Sequence, residues 1–117
     1  MKRQRLAGIE KEIIKVISKV LLEEIKNPKI KGLVSVTDVR VTEDLKFADV
    51  FFSVMPTVNN QINKSEVFDA LNEVKGFLRK RVAEDVEMRF IPEIRVKEDN
   101  SIENAIKITE LLNKLKD

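Results

Sequence analysis

Two strand-length runs stand on either side of a short polar turn, and that spacing constrains the fold of this chain more than any other feature. Residues 33–42 and 47–54 are rich in β-branched and aromatic side chains, with Glu43-Asp44-Leu45-Lys46 between them. So short a connection joins antiparallel neighbours, because a parallel return needs about a dozen residues or more. The third β-rich run, residues 90–97, follows a long helical pattern, so it returns parallel to the second through a right-handed crossover. With one helix before the strands and one after, the order is α-β-β-α-β-α. The economical product is an α+β domain, a three-stranded mixed sheet packed against helices. At 117 residues it forms a single domain over 1–117 whose core needs no disulfide or metal.

The periodicities place each element. Ile9, Ile13, Val16, Ile17, Val20, Leu21 and Ile25 recur at helical spacing and predict a first helix over residues 5–26. Asn27-Pro28 ends it, since the residue before proline is pushed out of the α region. In the first strand the apolar phase slips, with Val34 and Val36 on one parity and Val39 and Val41 on the other. Either a bulge near Thr37-Asp38 restores one buried face, or a twisted strand is partly covered on both. In the second strand Ala48, Val50, Phe52 and Val54 share one face and Phe47 and Phe51 the other, which predicts a central strand covered on both sides. Residues 57–63 form an uncharged loop. Ser65 is the expected N-cap of a second helix whose stripe is Val67, Ala70, Leu71, Val74, Leu78 and Val82, ending at 84–86. Pro92 suits the start of an edge strand. Ser101 caps a last helix with Ile102, Ala105, Ile106, Ile108, Leu111, Leu112 and Leu115 as its apolar set.

Composition removes several chemistries. The chain has no cysteine and no histidine, so thiolate sites, disulfides and the commonest general base are absent. No carboxylate pair stands out for acid–base work. The expectation is a protein that is not an enzyme, with no cofactor and no metal. The N-terminus lacks the apolar core of a signal peptide, and no apolar run is long enough to span a bilayer. A soluble, cytoplasmic protein with no membrane partner follows.

The net charge of +2 hides a strong polarity. Residues 1–31 carry nine cations against four acids, whereas residues 75–81 carry four cations and no acid. That second segment, Val74-Lys75-Gly76-Phe77-Leu78-Arg79-Lys80-Arg81, surrounds a glycine in the middle of the second helix. Glycine there costs about 1 kcal/mol relative to alanine, which invites a kink or a close backbone approach. A kinked helix with a cationic second half is a docking surface for phosphates. In the first helix Glu10, Glu12, Glu23 and Glu24 interleave with the lysines, and there the ordinary solvated face is the favoured reading. Arg3 and Arg5, at the N-terminus, complete the candidate RNA-binding set of Arg3, Arg5, Lys75, Gly76, Arg79, Lys80 and Arg81. Arg79 has an alternative as the partner of a neighbouring carboxylate, and Arg3 and Arg5 have one as residues without a role. Arg89 and Arg95 are weaker candidates, being close to Glu87, Glu93 and Glu98.

Several further pieces recur in order along nearly the whole chain, residues 5–115. They are the helix closing on Asn27-Pro28-Lys29, Val36-Thr37-Asp38-Val39 with Val41, Asp44-Leu45, and Ala48-Asp49-Val50. Gly76-Phe77-Leu78-Arg79 follows, then Arg89-Phe90-Ile91-Pro92-Glu93-Ile94 before Asp99 and Ser101. In this order and spacing they resemble the ribosome-binding factor A family. The resemblance implies a type II KH-like fold, α-β-β-α-(kink)-α-β plus a C-terminal helix. In that family an interhelical Ala-x-Gly kink replaces the Gly-x-x-Gly loop of other KH domains; here the glycine is Gly76, and Val74 occupies the alanine position. Arg95, Lys97 and Glu98 stand where the family's third strand often carries aromatics. The resemblance further implies binding to the free small (30S) ribosomal subunit of bacteria and help with late maturation of 16S rRNA, by a protein that is monomeric when free.

Without a Gly-x-x-Gly clamp, and with six phenylalanines that mostly fall on core positions, RNA affinity is expected to come from phosphate contacts and shape. Two other readings stay open. One is a protein–protein interaction module with no direct RNA contact, whose cations serve solubility. The other, an RNA-processing enzyme, needs a metal-binding carboxylate cluster that the sequence does not display.

Overall fold

The computed structural model describes residues 3–30, 34–54, 63–101, 109–110 and 112–114. Its elements are α1 (Arg3–Glu23), β1 (Val34–Val41), β2 (Phe47–Val54), α2 (Lys64–Asp85) and β3 (Glu93–Glu98). The sheet order is β1-β2-β3, with β1 antiparallel and β3 parallel to β2, as the connection lengths predict.

The phase slip in β1 is a bulge. Val36 pairs with Phe52 and Asp38 with Phe51, so Thr37 is the extra residue. Val34, Val36, Val39 and Val41 thereby all lie opposite the inner face of β2, on which Ala48, Val50, Phe52 and Val54 are buried. One inserted residue therefore reconciles two parities with a single core. Ile94 of β3 joins the same layer. From the helices come Leu6, Ile13, Ile17, Val20 and Leu21 of α1, and Val67, Ala70, Leu71, Leu78 and Val82 of α2.

The second face of β2 is not covered as expected. Phe47, Asp49 and Phe51 are half-buried there. Arg95 of β3 lies over the Phe47 ring at 4.4 Å from its centroid and binds Asp49 through Nη2–Oδ2 at 3.0 Å. Side chains of the sheet, rather than a second helical layer among the described residues, shield that face.

The turn between β1 and β2 is held by its own polar groups. Thr42 Oγ1 donates to Asp44 Oδ1 at 2.6 Å, and the Lys46 N–H donates to the same oxygen at 3.1 Å. The hydroxyl of Thr42, followed by the Lys46 amide, holds the Asp44 carboxyl below the usual carboxylate range. Leu45 takes φ 62°, a left-handed conformation uncommon for leucine, with its side chain packed against the core.

Boundaries differ from expectation at the starts of α2 and β3. The cap of α2 is Asn63, whose side chain accepts the Glu66 N–H, rather than Ser65. Asn and Ser are equal as caps, and chain geometry selects the earlier one. The third strand begins at Glu93, where the first amide after Pro92 bonds Lys46 O at 2.9 Å; Phe90, Ile91 and Pro92 precede it. Residues 101, 109–110 and 112–114 are helical, and Leu112 is 55% exposed. The remaining apolar set proposed for the last helix (Ile102, Ala105, Ile106, Ile108, Leu111 and Leu115) lies outside the described residues, as does the loop of residues 57–62.

Candidate nucleic-acid interface

Gly76 does not divide its helix. α2 runs from Lys64 to Asp85 as one continuous element, with Gly76 inside it. The stripe from Val67 to Val82 packs continuously on the sheet, and that burial outweighs the roughly 1 kcal/mol a helical glycine costs. Gly76 is exposed, and a Cβ built on it would meet nothing within 4 Å. The free protein therefore has no packing reason for glycine here. Replacing Gly76 with alanine is expected to raise stability by about 0.5–1 kcal/mol in chemical denaturation. A loss instead would mean that the backbone leaves helical geometry at this point.

The four cations of the segment part ways. Arg79 reaches across to the chain entering β3, donating from Nη2 to Ile91 O at 2.9 Å and from Nε to Pro92 O at 3.3 Å. It pairs with main-chain carbonyls rather than a carboxylate. Arg81 is committed to three acids: Glu24 of the α1 end at 3.1 Å, Glu84, and Asp85 at 3.7 Å. The Glu84 hydrogen bond, then the charge of Glu24, raise the Arg81 pKa above its ordinary value. Both arginines thus have internal duties in the free protein. Lys75 and Lys80 are exposed and take no ion pair among the described residues. Arg5 is exposed in the first turn of α1; the side chain of Arg3 lies outside the described part.

The acids of α1 are redistributed as well. Glu10 is buried, 7% exposed, and its Oε2 accepts the Val41 N–H of β1 at 2.8 Å. Glu24 is taken by Arg81. Two of the four carboxylates that interleave with the lysines in sequence are therefore withdrawn from the exposed face. Lys11, Lys15 and Lys19 remain there at four-residue spacing, one helix turn apart, with only Glu12 and Glu23 beside them. The lysine spacing was visible in the sequence. The removal of Glu10 and Glu24 was not, because both depend on partners 31 and 57 residues away.

The exposed charges of α2 are unevenly placed. Its first half exposes Glu66, Asp69 and Glu73, whereas Lys75 and Lys80 lie beyond them.

The phenylalanines are less buried than expected. Phe52 is fully buried, but Phe77 is 41% and Phe90 66% exposed. Arg89 places its guanidinium over the Phe90 ring, 5.7 Å from the centroid. Among the described residues no group of three or more acids is placed to hold a metal ion, and no helix is long and apolar enough to cross a membrane.

Comparison with known proteins points one way. The family model described as ribosome-binding factor A matches residues 5–112. A ribosome-binding factor A of Fusobacterium nucleatum is 70% identical over 119 residues, covering 99% of each chain. The crystal structure of ribosome-binding factor A from Thermus thermophilus superimposes with a TM-score of 0.68 at 18% identity, over 80% of this chain and 94% of that one. A homology model of the Thermus thermophilus factor, fitted into a cryo-EM map of its 30S complex, gives a TM-score of 0.60 at 17% identity, over 86% and 97%.

Proposed function

This chain belongs to the ribosome-binding factor A family, and from that premise we propose that it binds the free 30S ribosomal subunit and assists a late step of 16S rRNA maturation. Family membership over residues 5–112 carries the reading. The fitted 30S complex of a structural neighbour supports the choice of partner. The protein works in the cytoplasm as a monomer, needs no cofactor, and leaves the subunit before translation begins.

The physical means is binding energy spent on one conformation of folded RNA. Exposed lysines on two helices, Lys11, Lys15 and Lys19 of α1 with Lys75 and Lys80 of α2, supply phosphate contacts. The Arg81–Glu24 pair draws the cationic turn of α2 against the C-terminal end of α1, joining the two groups on one body. Arg79 and Arg81 shape this surface more than they touch the ligand. Neutralising a phosphate releases its counterions, so affinity falls steeply as salt rises.

Sedimentation against fractionated ribosomes tests the reading. The protein is expected with free small subunits, and absent from translating ribosomes. Binding should drop by at least about tenfold between 50 and 200 mM salt if several phosphates are contacted. Binding that ignores salt would favour the protein–protein module instead.

A further inference from the structure

We propose that Phe90 is a stacking platform for an unpaired nucleobase, giving the protein a contact that distinguishes single-stranded from paired RNA. The proposal rests on the RNA-binding reading above and adds a base contact to a surface otherwise built for phosphates.

An exposed aromatic is not in itself unusual. What singles out Phe90 is that the chain on both sides of it is fixed while its ring stays in water. Met88 and Ile91 pack against the core, and Pro92 is buried. Arg79 clamps the carbonyls of Ile91 and Pro92 from α2. The ring, 66% exposed, therefore projects from a pinned turn rather than from a loose one. Little conformational freedom is left to lose on binding, as a recognition aromatic requires.

The surroundings indicate the class of ligand. Arg89 covers the ring at 5.7 Å and has no ion-pair partner among the described residues, although Glu87 and Glu93 belong to the same turn. Unstacked bases are held by aromatic rings and by guanidinium planes, and this pair offers both in one place. Lys75 shares a helix face with Arg79, whose guanidinium reaches this turn, so a cation for the flanking phosphate stands nearby. A protein partner with an apolar anchor fits less well. It would have to desolvate Arg89, Glu87 and Glu93 around a single ring, and charged residues are depleted from interface cores.

The consequence is a state-dependent contact. A base that is splayed out during assembly can stack on Phe90, and the same base paired in the mature subunit cannot. Formation of that pair would then favour release.

Two variants of the full chain, Phe90→Leu and Phe90→Trp, test this. Leucine keeps apolar volume without the π-face, and the exposed position makes both compatible with the fold, as circular dichroism checks. Phe90→Leu is expected to weaken binding to free small subunits about tenfold or more with the salt slope unchanged. The chain has no other tryptophan. Fluorescence of Phe90→Trp should therefore be quenched by a single-stranded oligoribonucleotide and not by the same strand annealed to its complement. Wild-type affinity in Phe90→Leu, or equal quenching by duplex, would overturn the proposal. Quenching by ribosomal proteins freed of RNA would overturn it too, in favour of a protein ligand. If the wild-type chain fails to bind small subunits at all, the functional reading fails, while the oligonucleotide experiment still reads Phe90 by itself.

Discussion

Exchanging Lys11, Lys15 and Lys19 together for glutamine is expected to lower affinity for free small subunits by about two to three decades at 0.1 M salt, with the fold intact. Each phosphate contact contributes a slope of about 0.7–0.9 in log affinity against log salt, so three lost contacts reduce the slope by about two to three. At a tenth molar the same factor appears in the affinity itself. Glutamine and lysine have similar helix propensities, and these lysines make no ion pairs among the described residues, so α1 loses charge and little else. A salt titration of the sedimentation equilibrium reads both quantities. Normal binding with an unchanged slope would remove α1 from the contact surface and leave Lys75 and Lys80 as its centre. The same change at Arg81 should behave differently. It leaves Glu24, Glu84 and Asp85 facing one another without their shared cation, so the melting temperature falls along with any loss of binding.

That contrast shows where a linear sequence stops being informative. Four cations in a row at 75–81 look equivalent, yet folding divides them into two structural arginines and two exposed lysines. Glu84 and Asp85, one helix turn after Arg81, are a local signal for its pairing, but the remaining partners are distant. The acceptors of Arg79 come from residues 91 and 92, and a partner of Arg81 from residue 24. Strand order, by contrast, was legible because connection length alone decides between antiparallel and parallel pairing. The bulge at Thr37 was legible as a parity slip, and the register turned that alternative into a fact. Gly76 is instructive in another way. An expensive residue in a helix implies a cause, but the cause need not lie in the free protein. With open space around its missing Cβ, the position is compatible with close approach by a bound partner, which Gly76→Ala would obstruct while stabilising the unbound chain.

Glu10 gives the largest stability effect expected from a single charged residue, and it links the edge of the sheet to the proposed RNA surface. β1 is an outer strand, so its outward amides face no neighbouring strand. α1 lies against this strand and supplies an acceptor to it: Glu10 Oε2 accepts the Val41 N–H at 2.8 Å in a buried setting. Truncation to alanine leaves that buried donor without its partner, which costs about 1–3 kcal/mol. In a domain of this size the melting temperature should fall by about 4 °C or more for each kcal/mol. Glu10→Gln keeps an oxygen in the same place and should lose less than half as much. Equal losses in the two variants would assign the effect to charge rather than to the hydrogen bond. Because the lysines ride on the helix that Glu10 fastens to β1, the alanine variant should also bind subunits more weakly at temperatures where it remains folded. Its salt slope should be that of the wild type, since no phosphate contact has been removed. Weaker affinity at constant slope is the signature of a cationic helix whose charges are intact and whose seating has loosened.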